Sequence, residues 1–137
     1  MTVVSWPEDA LRAHLLADPM IATLVGDRIE PAPLTEGSKL PAITFQDVST
    51  VRQARHFEGV GSLAQARIQL DIWTKTRIEA RNLFELVRIR VDGKSGNVAG
   101  FEVQLFQIEL GPRDFYEADV KLRRVSTDVM VFHTEAA

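Results

Sequence analysis

Cysteine is missing from this 137-residue chain, which excludes disulfides, a cysteine nucleophile and thiolate metal sites. Long apolar runs are missing as well, since none approaches the roughly 20 residues of a membrane-spanning helix. The N-terminus lacks the basic and then apolar pattern of a signal peptide. We therefore expect one domain over residues 1–137, held together by packing alone and made in the cytoplasm.

Histidine is scarce, and His14, His56 and His133 stand in separate segments without the spacing of a shared metal site. Gly59 and Gly61 lack the third glycine and the following helix of a dinucleotide-binding loop. No nucleophile has a base placed beside it in the sequence. We predict no catalytic residue, no bound cofactor and no metal site, and hence no enzyme.

The charged residues, 16 basic and 19 acidic, are unevenly distributed along the chain. Residues 51–94 carry 9 basic and 5 acidic side chains, whereas residues 1–50 carry 3 and 7 and residues 95–137 carry 4 and 7. A basic block between acidic ones favours docking against further copies or acidic partners, because complementary potentials steer association. The pI of about 5.6 disfavours a free nucleic-acid-binding domain, whose pI is usually above about 9.

Two capping boxes, Ser5–Glu8 and Thr76–Glu79, predict the starts of two helices. The first helix ends at Asp18–Pro19, and a short helical turn follows over residues 20–25. The second helix ends at Asp92–Gly93.

Alternating apolar residues predict strands over residues 42–48 and 63–73, and the latter has the clearest alternation in the chain. Residues 27–39 favour an irregular connection with at most one short strand, and residues 50–61 favour a long basic loop. Together with the helices, these strands predict a sheet that has one buried side and is covered there by a helix.

Two further strands near the C-terminus change the phase of their apolar residues. Val103 and Leu105 alternate on one side of the strand, whereas Phe106 begins an alternation on the opposite side. A β-bulge produces such a change of phase. Val120 and Leu122 are likewise out of phase with the residues from Val125 onward. We expect these two strands either to bend or to bury both faces at different points, and strands of this kind often leave the body of a domain to meet a neighbour.

The predicted helix over residues 77–91 has two apolar sides. One stripe should cover the sheet and consists of Ala80, Leu83, Phe84, Val87 and Val91. Three apolar and three arginine side chains lie on or beside the far side of this helix, and an aromatic residue precedes it. Arginine and aromatic residues are favoured interface anchors. We therefore interpret this set as a subunit or partner interface. Its members are Trp73, Arg77, Ile78, Arg81, Leu86, Arg88 and Ile89. The alternative is a broad core that wraps around the helix.

The order of these features resembles the tail-completion, or tail-terminator, proteins of long-tailed bacteriophages and of phage-like gene transfer particles. The resemblance spans nearly the whole chain and rests on soft patterns of apolar, turn and charged residues. The segments that carry it are residues 10–12, 16–19, 24–29, 40–43, 66–73 and 125–131.

The resemblance implies a small α+β domain with a mainly antiparallel sheet packed against two helices. It also implies a structural protein of the virion tail that is assembled in the bacterial cytoplasm. Such a protein caps the tail tube as a ring, typically a homo-hexamer, ends tube growth and offers the surface for head-tail joining. The implied partners are the tail-tube protein and a head-completion or connector protein, with DNA only as cargo passing through the channel and with no membrane. In a closed ring each subunit offers two different surfaces, which the segregated charge could supply.

The loop with Arg52, Arg55 and His56 has no counterpart in the resemblance, and we assign it to a contact with the tube or the channel. Two alternatives remain at this point. The chain could be a head-tail connector or tail-tube subunit of the same particle. It could also be a small-molecule binding module that uses His56 and the edge of the sheet.

Overall fold

The computed structural model describes residues 4–52 and 62–135. The elements in chain order are α1 Pro7–Leu16, α2 Pro19–Val25, β1 Ile29–Pro31, β2 Ala42–Arg52, β3 Ser62–Thr74, α3 Arg77–Val91, β4 Gly96–Val98, β5 Phe101–Glu117 and β6 Leu122–Glu135. The strands form one six-stranded sheet in the order β1-β2-β3-β6-β5-β4. The helices cover one of its faces, and we call the other the open face. Among the described residues no helix is long and apolar enough to cross a membrane.

The predicted α+β class is confirmed, but the sheet is mixed rather than purely antiparallel. Strand β1 pairs in parallel with β2, with Ile29 opposite Ile43, while the other four pairings are antiparallel. The parallel pair arises because the connection over residues 32–41 carries the chain back to the end of the sheet where β1 begins. Sequence periodicity does not report such a crossover, since it depends on the path of a loop.

Both helices predicted from capping boxes are present, but only one of them has the predicted side-chain cap. The Thr76 hydroxyl accepts a hydrogen bond from the backbone amide of Glu79 at 3.3 Å, so the cap of α3 is confirmed. Helix α1 begins instead with Trp6 as its N-cap and has no side-chain cap. The short turn is a third helix, α2, because the Asp18 carboxylate accepts the Met20 amide at 2.9 Å and caps it.

The alternation in β3 decides which face of the sheet is covered. The buried residues of this strand on the helix side are Ala64, Ala66, Ile68, Leu70 and Ile72. The predicted stripe of α3 packs over them and is buried along its whole length. One continuous core therefore fills the space between the helices and the sheet.

Two strand boundaries differ from the prediction. Strand β2 continues to Arg52, with a register shift between Asp47 and Ser49, so residues 50–52 belong to the sheet rather than to a loop. The predicted bulge in β5 is confirmed at Val103/Leu105, and the same strand has two further register shifts. Val120 lies in the turn between β5 and β6, which explains its phase without a bulge.

We expect Ile68→Ala to lower the free energy of unfolding by about 2–5 kcal/mol, because it leaves a cavity in the centre of the core. Ile68 is fully buried, whereas Ile89 is 58% exposed on α3, which makes Ile89→Ala a matched control. We expect the control to change stability by less than about 0.5 kcal/mol. Denaturant unfolding of both variants measures the difference, and equal losses would contradict this position of the core.

Candidate assembly surfaces

The outer side of α3 carries two of the three apolar residues assigned to it. Ile78 and Ile89 are 63% and 58% exposed, and they lie three helical turns apart on the same side. Leu86 is half-buried and packs against the margin of the core, so its predicted full exposure is wrong. The reason is angular, since position 86 lies next to Leu83 on the circumference of the helix and its side chain reaches the core.

The three arginines of α3 assigned to the interface each approach a carboxylate. Arg77 and Arg81 both approach the carboxylate of Asp114 on β5, each with its Nε at 3.6 Å. Arg88 is separate from them and donates to Glu85 within the helix, with its Nε at 3.0 Å. The structure therefore brings Arg77 and Arg81 together and tethers the first turn of α3 to the end of β5.

The assigned loop residues contribute little to the described structure. Arg52 forms the end of β2, and only its backbone is described. Arg55 and His56 lie outside the described residues. Their contact with a partner stays a prediction.

Trp73 forms the wall of a groove on the open face. It is half-buried, and its indole Nε1 donates to the hydroxyl of Thr44 at 3.0 Å. Residues 32–38 and Leu122 form the other walls of this groove, which has a volume of about 680 Å³. Trp73 is therefore a half-buried side chain beside a concave surface, and its indole N–H is already hydrogen-bonded. It is not a freely projecting anchor.

The open face contains two buried carboxylates that the sequence interpretation did not single out. Asp71 on β3 and Asp128 on β6 are each only 7% exposed, although no helix covers them. Arg67 donates to Asp128 at 3.0 Å, and Arg113 donates to its other oxygen at 3.1 Å. The aliphatic parts of such arginines can shield a carboxylate from water while their guanidinium groups neutralise it.

Arg124 makes the corresponding contacts at the other carboxylate. It donates to Asp71 at 3.0 Å and to Glu117 at 2.9 Å, and its guanidinium lies 4.3 Å from the centre of the Phe115 ring. Burial lowers the pKa of Arg124, but the hydrogen bonds to Asp71 and Glu117 outweigh it and raise this pKa. A pattern in the sequence could have indicated these contacts. Arg67 and Asp71 lie on the polar side of β3, and Arg124 and Asp128 lie on the same side of β6.

A second carboxyl pair lies on the helix side, between the first turn of α1 and β2. The Oε2 atom of Glu8 is buried and has no hydrogen-bond partner among the described residues. Burial, followed by the neighbouring Asp47 side chain, raises the pKa of Glu8 to about 7. The residue predicted to cap α1 thus faces Asp47 beside the irregular point of β2.

Neither described histidine belongs to a metal or catalytic cluster. The Nε2 atom of His14 bonds to the carbonyl of Arg90 at 2.8 Å, and Arg90 donates back to the carbonyl of His14 at 2.8 Å. Burial lowers the pKa of His14, and its ring stacks on Phe106. His133 is buried beside Phe101. The described part of the chain contains no group of three or more histidine or acidic residues that could hold a metal ion.

The fold is similar to that of a chain in the virion of a native gene transfer agent particle. The TM-score is 0.70, the alignment covers 94% of this chain and 95% of that chain, and the sequences are 15% identical. The molecule is thus an α+β domain of a kind that occurs in a virus-like particle. The family model of tail completion protein gp17 matches residues 9–134, and the chain belongs to that family. A comparison with curated proteins found no match.

We expect Asp128→Asn to lower the free energy of unfolding by about 1–3 kcal/mol, because it removes the charge that both Arg67 and Arg113 neutralise. Glu85→Gln is a control that breaks an ion pair with both partners exposed on α3. Solvent-exposed ion pairs contribute little to stability, so the control should lose less. Denaturant unfolding at low and high salt distinguishes the two, and an equal loss in both variants would contradict the buried character of Asp128.

We expect the protein to lose stability as the pH rises from 4.5 to about 7, owing to Glu8. A carboxyl whose folded pKa is raised stabilises the fold while it is protonated, and this contribution disappears as the pH rises through the folded pKa. Glu8→Gln should remove the effect, of the order of 1 kcal/mol because water screens a partly exposed residue.

Thermal unfolding across pH 4–8 tests this. The wild type and Glu8→Gln should match near pH 4.5 and diverge above it, with the variant more stable at pH 8. Parallel curves would show that Glu8 ionises normally in the folded protein.

Proposed function

We propose that this protein completes the tail of a phage or phage-like particle as a non-enzymatic structural subunit. It closes the end of the tail tube as a homo-hexameric ring, stops tube polymerisation and offers the surface for head-tail joining. Its partners are further copies of itself, the tail-tube protein and a head-completion or connector protein, and DNA passes through the channel without being bound specifically.

Membership of the tail completion family carries this proposal, because the match covers residues 9–134 and therefore most of the described fold. The likeness to a chain of a gene transfer agent virion supports the same setting, since nearly the full length of both chains aligns. Neither comparison depends on a single motif.

The surfaces of the molecule support assembly. Ile78 and Ile89 leave apolar area exposed on the outer side of α3, opposite the stripe that packs on the sheet. Large exposed side chains also occur at the ends of the sheet, including Val51 on β2 and Tyr116 on β5. Apolar residues grouped on separate sides of one domain are typical of a subunit with more than one contact.

One observation favours a different function. The groove beside Trp73, of about 680 Å³, has the size of a small-molecule site. Binding modules of this kind act as monomers or dimers, so the assembly state distinguishes the two functions.

We expect light scattering across a concentration series to give the mass of a hexamer, either for the protein alone or once tail-tube protein is added. The tube protein measured alone is the control for its own assembly. Electron microscopy of the mixture should show capped tubes of limited length. A monomer at every concentration that leaves tube growth unchanged would overturn the proposal and favour the binding module.

A further inference from the structure

The short outer strands β1 and β4 cover only part of the length of their neighbours β2 and β5. Strand β1 pairs with β2 over residues 43–45, and β4 pairs with β5 over residues 101–103. The chain after α3 also bonds to the outer side of β5, up to Ile108. Within the described parts of the chain, no strand lies beside residues 49–52 of β2 or residues 113–117 of β5.

The free part of β5 follows an irregular stretch, and its charged side chains are engaged in ion pairs within the subunit. Register shifts and Pro112 interrupt the strand between Ile108 and Arg113. From Arg113 onward the strand pairs regularly with β6, and Phe115 and Tyr116 are 41% and 52% exposed. A regular edge with exposed aromatic side chains is a template for another strand.

The free part of β2 has the same character. After the shift at Asp47/Ser49, residues 49–52 pair regularly with β3. Thr50 and Val51 favour extended structure, and Val51 is 57% exposed. The sheet therefore has one free regular edge on each side, at opposite ends.

Strand direction makes these two edges complementary. Strands β2 and β5 run in opposite directions, because three antiparallel pairings separate them in the order β2-β3-β6-β5. A second copy placed sideways in the same orientation therefore brings its β2 antiparallel to β5. Ser49 and Phe115 then lie on the same face, since their partners Arg67 and Arg124 both belong to the open face.

The offset between the edges is compatible with a closed ring in which Ser49 lies opposite Phe115. Ser49 is level with Met130 of β6 through Arg67, whereas Phe115 is level with Arg124, six residues earlier. A rise of six residues is about 20 Å, and four strands span about 19 Å sideways. Strands would then tilt by about 45°, at the upper end of the typical tilt of about 35–45° in closed sheets.

We propose that the free edge of β5 in one copy pairs antiparallel with the free edge of β2 in the next copy, with residues 113–115 of β5 opposite residues 49–51 of β2. The contact joins two different edges, so it repeats from subunit to subunit and can close. The inference rests on the ring proposed above and specifies which backbone edges form its contact.

The absence of cysteine from the chain allows a direct test. Paired residues of antiparallel strands have Cα atoms about 4.5–5.5 Å apart, which a disulfide can bridge. The double variant Ser49→Cys/Phe115→Cys is oxidised mildly in its assembled state, alone or with tail-tube protein, and separated without reductant. A second pair, Val51→Cys/Phe115→Cys, covers a register shifted by two residues.

We expect one double variant to give a ladder of covalent species that extends to the full ring. The single variants and the matched pair Ser49→Cys/Ile78→Cys, whose second cysteine lies on exposed α3, should give little cross-linking. Complete dimerisation of Phe115→Cys alone would show two β5 edges in contact and overturn the proposal. Rings that form without a ladder in either double variant would overturn the edge contact but not the ring. A protein that never assembles would overturn both.

Discussion

Strands β3 and β6 pair without interruption from Ser62 opposite Glu135 to Thr74 opposite Arg123. Because side chains alternate strictly along a strand, this one register places the side chains of the even-numbered residues 64–72 of β3 towards the helices. A slip of one residue would expose Ile68 and Ile72 and bury Arg67 and Asp71 against α3. The core, the open face and the level of both sheet edges all follow from this pair.

The open face is polar, and yet two of its carboxylates are shielded from water. Asp71 and Asp128 are removed from water by the arginines that neutralise them rather than by a covering helix. A buried carboxylate is tolerated only where its charge is matched. The arginines and acids accordingly form two clusters, one around Asp128 and one around Asp71, and each cluster joins strands across the open face.

Irregular points occur where the sheet meets its limits. The register shifts in β5 and the shift at Asp47/Ser49 in β2 precede the regular, uncovered edges. Bulges increase local twist and end one pairing before another begins. In a ring, β2 and β5 would each pair within their own subunit before the bulge and with a neighbouring subunit beyond it.

Local pattern in the sequence sufficed for the α3 cap at Thr76, the buried stripe from Ala80 to Val91, the alternation of β3 and the bulge in β5. These features depend on residues a few positions apart, whose geometry the backbone dictates. Tertiary structure alone decided the parallel β1–β2 pair, the half-burial of Leu86, the pairing of Glu8 with Asp47 and the shielding of Asp71 and Asp128. Each of these joins residues distant in the chain, and burial and charge at such a contact depend on both partners. A periodic pattern describes only one of them.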